Sequence, residues 1–373
     1  MKQTCDIFCK IVDNFGDIGV CWRLARQLQT EHALEVRLWI DDFKVAQTLI
    51  PSLQLNQFKQ VIEAVTIMHW VKEADFSNAA EVVIETFACG LPTVYLAAMA
   101  QQKSKWVNLD YLSAEPWVAD FHARPSPQAQ GLTRYFYFPG FAAATGGLLR
   151  ESEIIKNNQL LIHNKSQQDA FWQSLHITTT DALKVSLFCY PHAPIVALLD
   201  AMAQSQQTTH CYVPASRIVP KIATYFGRDK LNIGDVLQLG NLHIHVLPFL
   251  SQHDYDQLLA ACDVNFVRGE DSWVRAIWAS KPFIWQPYWQ QENTHLQKLD
   301  AFIDVFYQQA TPDVQHVVRQ LHHMWLQQSQ VPLDWQAYLT QLTAIHQVTQ
   351  RAAAGLAEQA DLAAKLVIFC NKI

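Results

Sequence analysis

Short runs of β-branched and aromatic residues alternate with stretches of helical period through both halves of the chain, and this alternation constrains the fold more than any other feature. In the first half, 6–12 (DIFCKIV), 35–40 (EVRLWI), 65–69, 81–85 and 92–97 carry strand signal, while 20–30 places Leu24 and Leu28 on one helix face. A polar tract at 150–180, rich in Asn, Gln, Lys and Ser and with one helical stretch at 170–175, interrupts the pattern. It resumes with strands at 184–190, 210–214, 242–249, 263–268 and 282–285 and helices at 194–203, 253–261 and 273–279. Strands separated by helices form βαβ units and parallel sheets. Because 373 residues exceed what one core holds, the sequence predicts an α/β protein of two Rossmann-like domains, 1–155 and 180–350, facing across a cleft. The tail from 313 is helical in period, and a terminal helix at about 352–373 is expected to pack on the first domain or across both.

Composition removes several function classes. With 28 Lys and Arg against 34 Asp and Glu, the net charge of −6 provides no general field for a nucleic-acid backbone. No apolar run has membrane-spanning length and residues 1–6 lack a secretory signal, so a cytoplasmic protein without membrane contact is expected. The eight cysteines (5, 9, 21, 89, 189, 211, 262 and 370) form no CxxC pair and read as reduced, buried thiols. His243 and His245 share a strand face but have no Cys or carboxylate beside them at ligand spacing, and His322 and His323 diverge on a helix; no metal is expected. GxGxxG, Walker and GxSxG signatures are absent.

Two segments concentrate chemistry. Asp13-Asn14-Phe15-Gly16-Asp17-Ile18-Gly19 forms a tight loop between the first strand and the first helix, where glycine permits close backbone approach and helix N–H groups face an anion. Capping of the helix by Asp13 or Asp17 is the structural reading. Two carboxylates four apart at one strand end favour a functional one. Arg268-Gly269-Glu270-Asp271-Ser272 follows an apolar strand and precedes a helix near Trp273. Ser272 suits an N-cap and the acidic pair suits the helix dipole. Neither accounts for Arg268, and such density of polar groups suggests a pocket for phosphate and hydroxyl groups. Phe188, Tyr190 and Phe249 end strands and offer faces for a nucleobase, with Gln252 placed to read its edge, although core packing is the commoner fate of such residues. Residue types and spacing alone thus reach a two-domain α/β protein that binds a nucleotide or sugar nucleotide.

The stretches DNFGDIGVCWRLARQL (13–28) and FVRGEDSWVRAIWASKPFIWQPYWQ (266–290), supported by SLFCY (186–190) and LPFLSQHDYDQLLAACD (247–263), closely resemble the EarP family of arginine rhamnosyltransferases that modify elongation factor P. The resemblance runs through both halves in the same order. It implies a GT-B fold, dTDP-β-L-rhamnose as donor with no further cofactor, an arginine of elongation factor P as acceptor, transfer with inversion and a role in translating polyproline stretches. It further implies Asp17 as the essential carboxylate and candidate base with Asp13 as its companion, and 268–272, Phe188, Tyr190, Phe249 and Gln252 as the donor pocket. Asn14, Phe15 and Gly16 join the donor side, and Glu270 is counted with the catalytic carboxylates. Departures from the family pattern fall at Pro287-Tyr288 and Thr294-His295, beside the expected pocket and affecting Tyr288 and Gln290. A related enzyme with another sugar nucleotide or a small acceptor, and a non-catalytic nucleotide-binding scaffold, remain the alternative readings.

Overall fold

The computed structural model describes residues 2–12, 15–178, 180–326 and 333–373, so Asp13 and Asn14 lie outside the described residues. The chain divides into two compact units, Met1–Ser152 with Leu356–Ile373, and Glu153–Gly355.

The first unit runs β1 (Thr4–Cys9), α1 (Phe15–Thr30), β2 (Glu35–Ile40), α2 (Phe43–Leu49), β3 (Lys59–Ile62), β4 (Val65–His69), β5 (Val82–Thr86), α3 (Thr93–Gln102), β6 (Lys105–Leu109), α4 (Trp117–Phe121), β7 (Arg124–Pro127) and β8 (Thr133–Tyr137). The second runs α5 (Ile154–His163), α6 (Lys165–Ser174), β9 (Leu183–Leu187), α7 (Ile195–Ala203), β10 (Thr209–Pro214), α8 (Val219–Tyr225), β11 (Val236–Leu239), β12 (Leu242–Leu247), α9 (Gln252–Ala261), β13 (Val264–Arg268), α10 (Asp271–Ala279), β14 (Phe283–Gln286), α11 (Thr294–Phe306), α12 (Pro312–Leu326), α13 (Trp335–Thr340) and α14 (Leu342–Ala357). Finally α15 (Leu362–Lys372) returns to the first unit.

The first sheet has the order β3-β4-β2-β1-β5-β6-β8-β7 and the second β11-β12-β10-β9-β13-β14. Among the described residues only the edge strands β3, β7 and β11 pair antiparallel. Interior strands read as continuous apolar runs because helices cover both faces. Alternation sends Ile7 of β1 against Ile18, Leu24 and Leu28 of α1 and Leu366 of α15, and Phe8 against Trp39, Tyr95 and Met99 on the other side. Gln27 ties α1 to Asp361 at the start of α15 (3.2 Å), and Lys105 reaches the carbonyl of Cys370 (2.7 Å). In each sheet the strand order reverses at the first strand, between β1 and β5 and between β9 and β13. Such a reversal opens a crevice at the carboxyl ends, where α/β sheets bind ligands.

Several local expectations are corrected. The segment 92–97 is not a strand but the start of α3, with Tyr95, Ala98 and Met99 buried at helical spacing. A six-residue apolar run does not separate the two states, and the Ala, Met and Gln that follow favour the helix. The sheet positions are filled by β6 and β8 instead. The polar tract holds two helices, α5 and α6, rather than one. Helix α1 begins at Phe15 and α10 at Asp271, so Phe15, Gly16 and Asp17 stand in a first helical turn rather than a loop, and Ser272 is helical rather than an N-cap. Phe188, Tyr190 and Phe249 follow β9 and β12 instead of ending them.

Buried histidines give the fold an acid sensitivity. His322 is fully buried and donates Nδ1–H to the Val318 carbonyl (2.8 Å), and burial pushes its pKa down to about 4. His245, half-buried and bonded to His210 (2.9 Å), is pushed down to about 4 by burial and by the neighbouring His210 and His243. Both rings take up protons more readily in the unfolded chain, whose histidines titrate near about 6.5. Stability is therefore complete above that value and declines as pH falls toward 4. The urea midpoint should drop steadily between about pH 6.5 and pH 4.5, and a midpoint flat through that window contradicts neutral burial of these rings.

Candidate active site

In the first unit the site is built where β1 gives way to α1 at the strand-order reversal. Asp17 occupies the first turn of α1 and is only 3% exposed. Its Oδ2 accepts the Val12 N–H (2.8 Å), while Asp41 Oδ1 accepts the Ile11 N–H (2.9 Å). The two carboxylates thus satisfy consecutive backbone donors and fix the path of the chain out of the strand. Cys9 lies beside this pair; burial first, then Cys21, Asp17 and Asp41 hold its thiol well above the ordinary range. A helix N-terminus and an N–H donor both favour negative charge at the Asp17 position. Phe15 and Gly16, half-buried, share the turn.

In the second unit the strand ends converge on Arg268, the last residue of β13. Its guanidinium lies over the Phe188 ring at 4.5 Å and the Tyr190 ring at 4.7 Å. These aromatics leave β9, whose register with β13 pairs Leu187 with Phe266, so sheet geometry brings the three together. Among the described residues no carboxylate pairs with Arg268. A cation held between aromatic faces and left without a counter-charge is suited to receive an anion.

The turn after Arg268 is braced from below. Gly269 takes a left-handed conformation (φ 61°), its carbonyl accepts the Trp285 indole N–H (2.7 Å), and Trp285 stacks on Trp273 at 3.6 Å. Glu270 stands at the N-cap of α10 without a side-chain cap bond. Ser272 Oγ accepts the Arg268 N–H (3.0 Å) and donates to the Arg268 carbonyl. Asp271 opens the helix and meets Gln252 in a long contact of 3.5 Å. Beneath them Arg275 forms a bidentate pair with Asp256 (both 2.9 Å), joining α10 to α9. Phe249 is half-buried in the segment between β12 and α9.

Sequence reasoning missed three participants. Gln286, fully buried at the end of β14, accepts the Tyr190 N–H through Oε1 (2.8 Å) while its Nε2 has no partner among the described residues. Tyr255 presents its ring to Phe188 at 5.6 Å. His192 stacks on Tyr190 at 5.6 Å. Tyr255 and Gln286 lie inside segments already singled out by pattern, but a lone Gln or Tyr carries no signal of its own. Tyr288 also joins the Tyr190 ring, edge-on at 5.9 Å, and the Gln290 carbonyl faces His295 Nδ1 at 3.2 Å. No helix among the described residues is long and apolar enough to cross a membrane.

The family described as elongation-factor P (EF-P) rhamnosyltransferase EarP matches residues 5–371. A protein-arginine rhamnosyltransferase of Pseudomonas putida is 42% identical over 372 residues, 99% of both chains, and one of Pseudomonas aeruginosa is 40% identical over 367 residues, 98% of both. A solved structure from work on EarP-mediated arginine glycosylation of translation elongation factor EF-P superposes with a TM-score of 0.73 at 33% identity, covering 100% of this chain and 99% of that one. Acinetobacter baumannii MurG, at 12% identity and a TM-score of 0.51 over the full length of both chains, shares the fold alone. The fold is GT-B.

The buried ion pair under α10 makes a stability prediction. Arg275→Met strands the Asp256 carboxylate and should cost about 3–5 kcal/mol, whereas the double variant Asp256→Leu/Arg275→Met should cost less than that single change. Denaturant unfolding followed by tryptophan fluorescence measures both, and a single-variant cost below about 1 kcal/mol contradicts a tightly paired site.

Proposed function

The chain belongs to the EarP family of elongation-factor P rhamnosyltransferases, and from that premise we propose that it moves L-rhamnose from dTDP-β-L-rhamnose to an arginine side chain of elongation factor P, with inversion and without a metal. The observation that carries the donor side is Arg268, which lies over Phe188 and Tyr190 at the strand-order reversal of the second sheet and pairs with no carboxylate among the described residues. As an enzyme acting on a translation factor, it is assigned to the cytoplasm.

Arginine is a poor nucleophile because its charge is spread over the guanidinium and its pKa exceeds about 12. One guanidinium nitrogen must be oriented toward the anomeric carbon and must shed a proton as the C–N bond forms. Asp17 is assigned that proton. Its carboxylate is held by the Val12 N–H in the first turn of α1, and it can grip a guanidinium through charge-assisted hydrogen bonds before acting as base. Asp13 is assigned the orienting role by resemblance. As the C–N bond forms, the anomeric C–O bond breaks and the electron pair leaves on the dTDP oxygen. Charge then grows on the diphosphate, where Arg268 and the N-terminal turn of α10 stabilise it. Glu270, being anionic, suits a sugar hydroxyl or backbone group better than phosphate. Phe249 and Gln252 are assigned to the thymine face and edge, with Asp271 and Ser272 completing the donor contacts of the second unit; Asn14, Phe15 and Gly16 are assigned to the donor by resemblance alone.

A transfer assay with purified elongation factor P separates the roles. Asp17→Asn keeps an acceptor oxygen for the Val12 N–H, so the turn should survive and donor affinity should stay within about threefold, while turnover falls about a hundredfold or more. A variant that retains most of its turnover removes Asp17 from proton transfer. Phe249→Ala and Glu270→Ala should instead weaken dTDP-β-L-rhamnose binding in calorimetry by roughly tenfold or more, and unchanged affinity contradicts their placement in the donor pocket.

A further inference from the structure

The turn joining β9 to α7 carries a titratable group that the reaction scheme above leaves unused. His192 stacks nearly parallel to Tyr190 (7° between planes), and the Trp289 ring meets it edge-on at 5.6 Å. Trp289 in turn packs on His295 at 4.4 Å. The charged groups that act on His192 come from three separate elements: Lys221 of α8, Arg268 of β13 and His295 of α11, all cations or potential cations. Lys221 is held against this turn, its Nζ donating to the Pro191 carbonyl. Helix α7 then begins at Ile195 without a side-chain cap. Three basic side chains and a helix N-terminus around one half-buried imidazole create a field that lacks only an anion.

We propose that His192 is a further donor-binding residue, which takes up a proton as the donor binds and holds the diphosphate as an imidazolium beside Arg268 and Lys221. The inference rests on the donor assignment made under Proposed function. Burial, reinforced by His295, Lys221 and Arg268, holds the imidazole below its ordinary pKa, and the ring is neutral at neutral pH. A diphosphate bearing two negative charges reverses that balance. The proton comes from solvent, one per site at most, and it stays on His192 while charge grows on the leaving group. Donor affinity should therefore rise as pH falls, through a ring the reaction does not otherwise need.

The test is calorimetry of dTDP-β-L-rhamnose with the full chain, without acceptor, in buffers of differing ionisation enthalpy; the donor's esterified diphosphate does not titrate near neutrality. The wild-type chain should take up a substantial fraction of one proton near pH 7. His192→Gln should abolish that uptake and weaken donor binding by about fivefold to tenfold at pH 6.5, but by less than about twofold at pH 8.5. Lys221→Met, which removes a neighbouring positive charge, should move the uptake to higher pH. Unchanged uptake in His192→Gln overturns the proposal, as does a loss of affinity that is equal at both pH values, the mark of packing alone. If the wild-type chain does not bind the donor at any pH, the donor assignment itself fails; binding without proton uptake overturns only the role of His192.

Discussion

The placement of the Arg268 guanidinium between Phe188 and Tyr190 is the interaction on which the rest of the second unit depends. The arginine stands half-buried at the carboxyl end of an inner strand, where the aromatic faces and partial exposure leave its charge able to receive an anion. The surrounding structure holds that charge in place. Gln286 fixes the Tyr190 backbone from β14, two strands from β9, and Ser272 ties the Arg268 backbone to the first turn of α10. Trp285 holds the Gly269 carbonyl from beneath.

This arrangement follows from topology. In both sheets the first strand lies at the reversal of strand order, so the segments leaving β1 and β9 are the ones freed from helix packing at their carboxyl ends. The first unit uses that position for an acid, Asp17, and the second for a cation with aromatic walls. The proposed reaction asks for the same difference: a guanidinium losing a proton calls for a carboxylate, and a departing diphosphate for fixed positive charge. The buried Asp256–Arg275 pair serves neither step directly. It locks α9 to α10 and so keeps Gln252 and Asp271 in register.

Much of this was legible in the sequence, for identifiable reasons. The βαβ alternation marked the class, and β2 and β4 were readable to the residue because β-branched and aromatic residues dominate them. The 268–272 cluster stood out because charge is scarce in this chain. What pattern could not give was contact between distant segments. Nothing local to Phe188 or Tyr190 says that Arg268 will lie over their rings, since sheet register sets that meeting. Asp17 was readable as a carboxylate near a strand end, but its bond to the Val12 N–H depends on the path of the turn. Gln286 gave no signal, because a strand-ending glutamine becomes informative only once its partner is known. The segment 92–97 was misread because a short apolar run fits helix and strand equally. Edge strands such as Arg124–Pro127, with two prolines, fall below any strand signal.

In the proposed reaction the anion site around Arg268 and the carboxylate of Asp17 serve one transfer. Intact-mass measurement of purified elongation factor P after incubation with this protein and dTDP-β-L-rhamnose, followed by fragmentation to locate any adduct, tests it most directly. The account predicts a gain of one deoxyhexose on a single arginine side chain. Elongation factor P that emerges with its mass unchanged, from a protein that still binds dTDP, contradicts it.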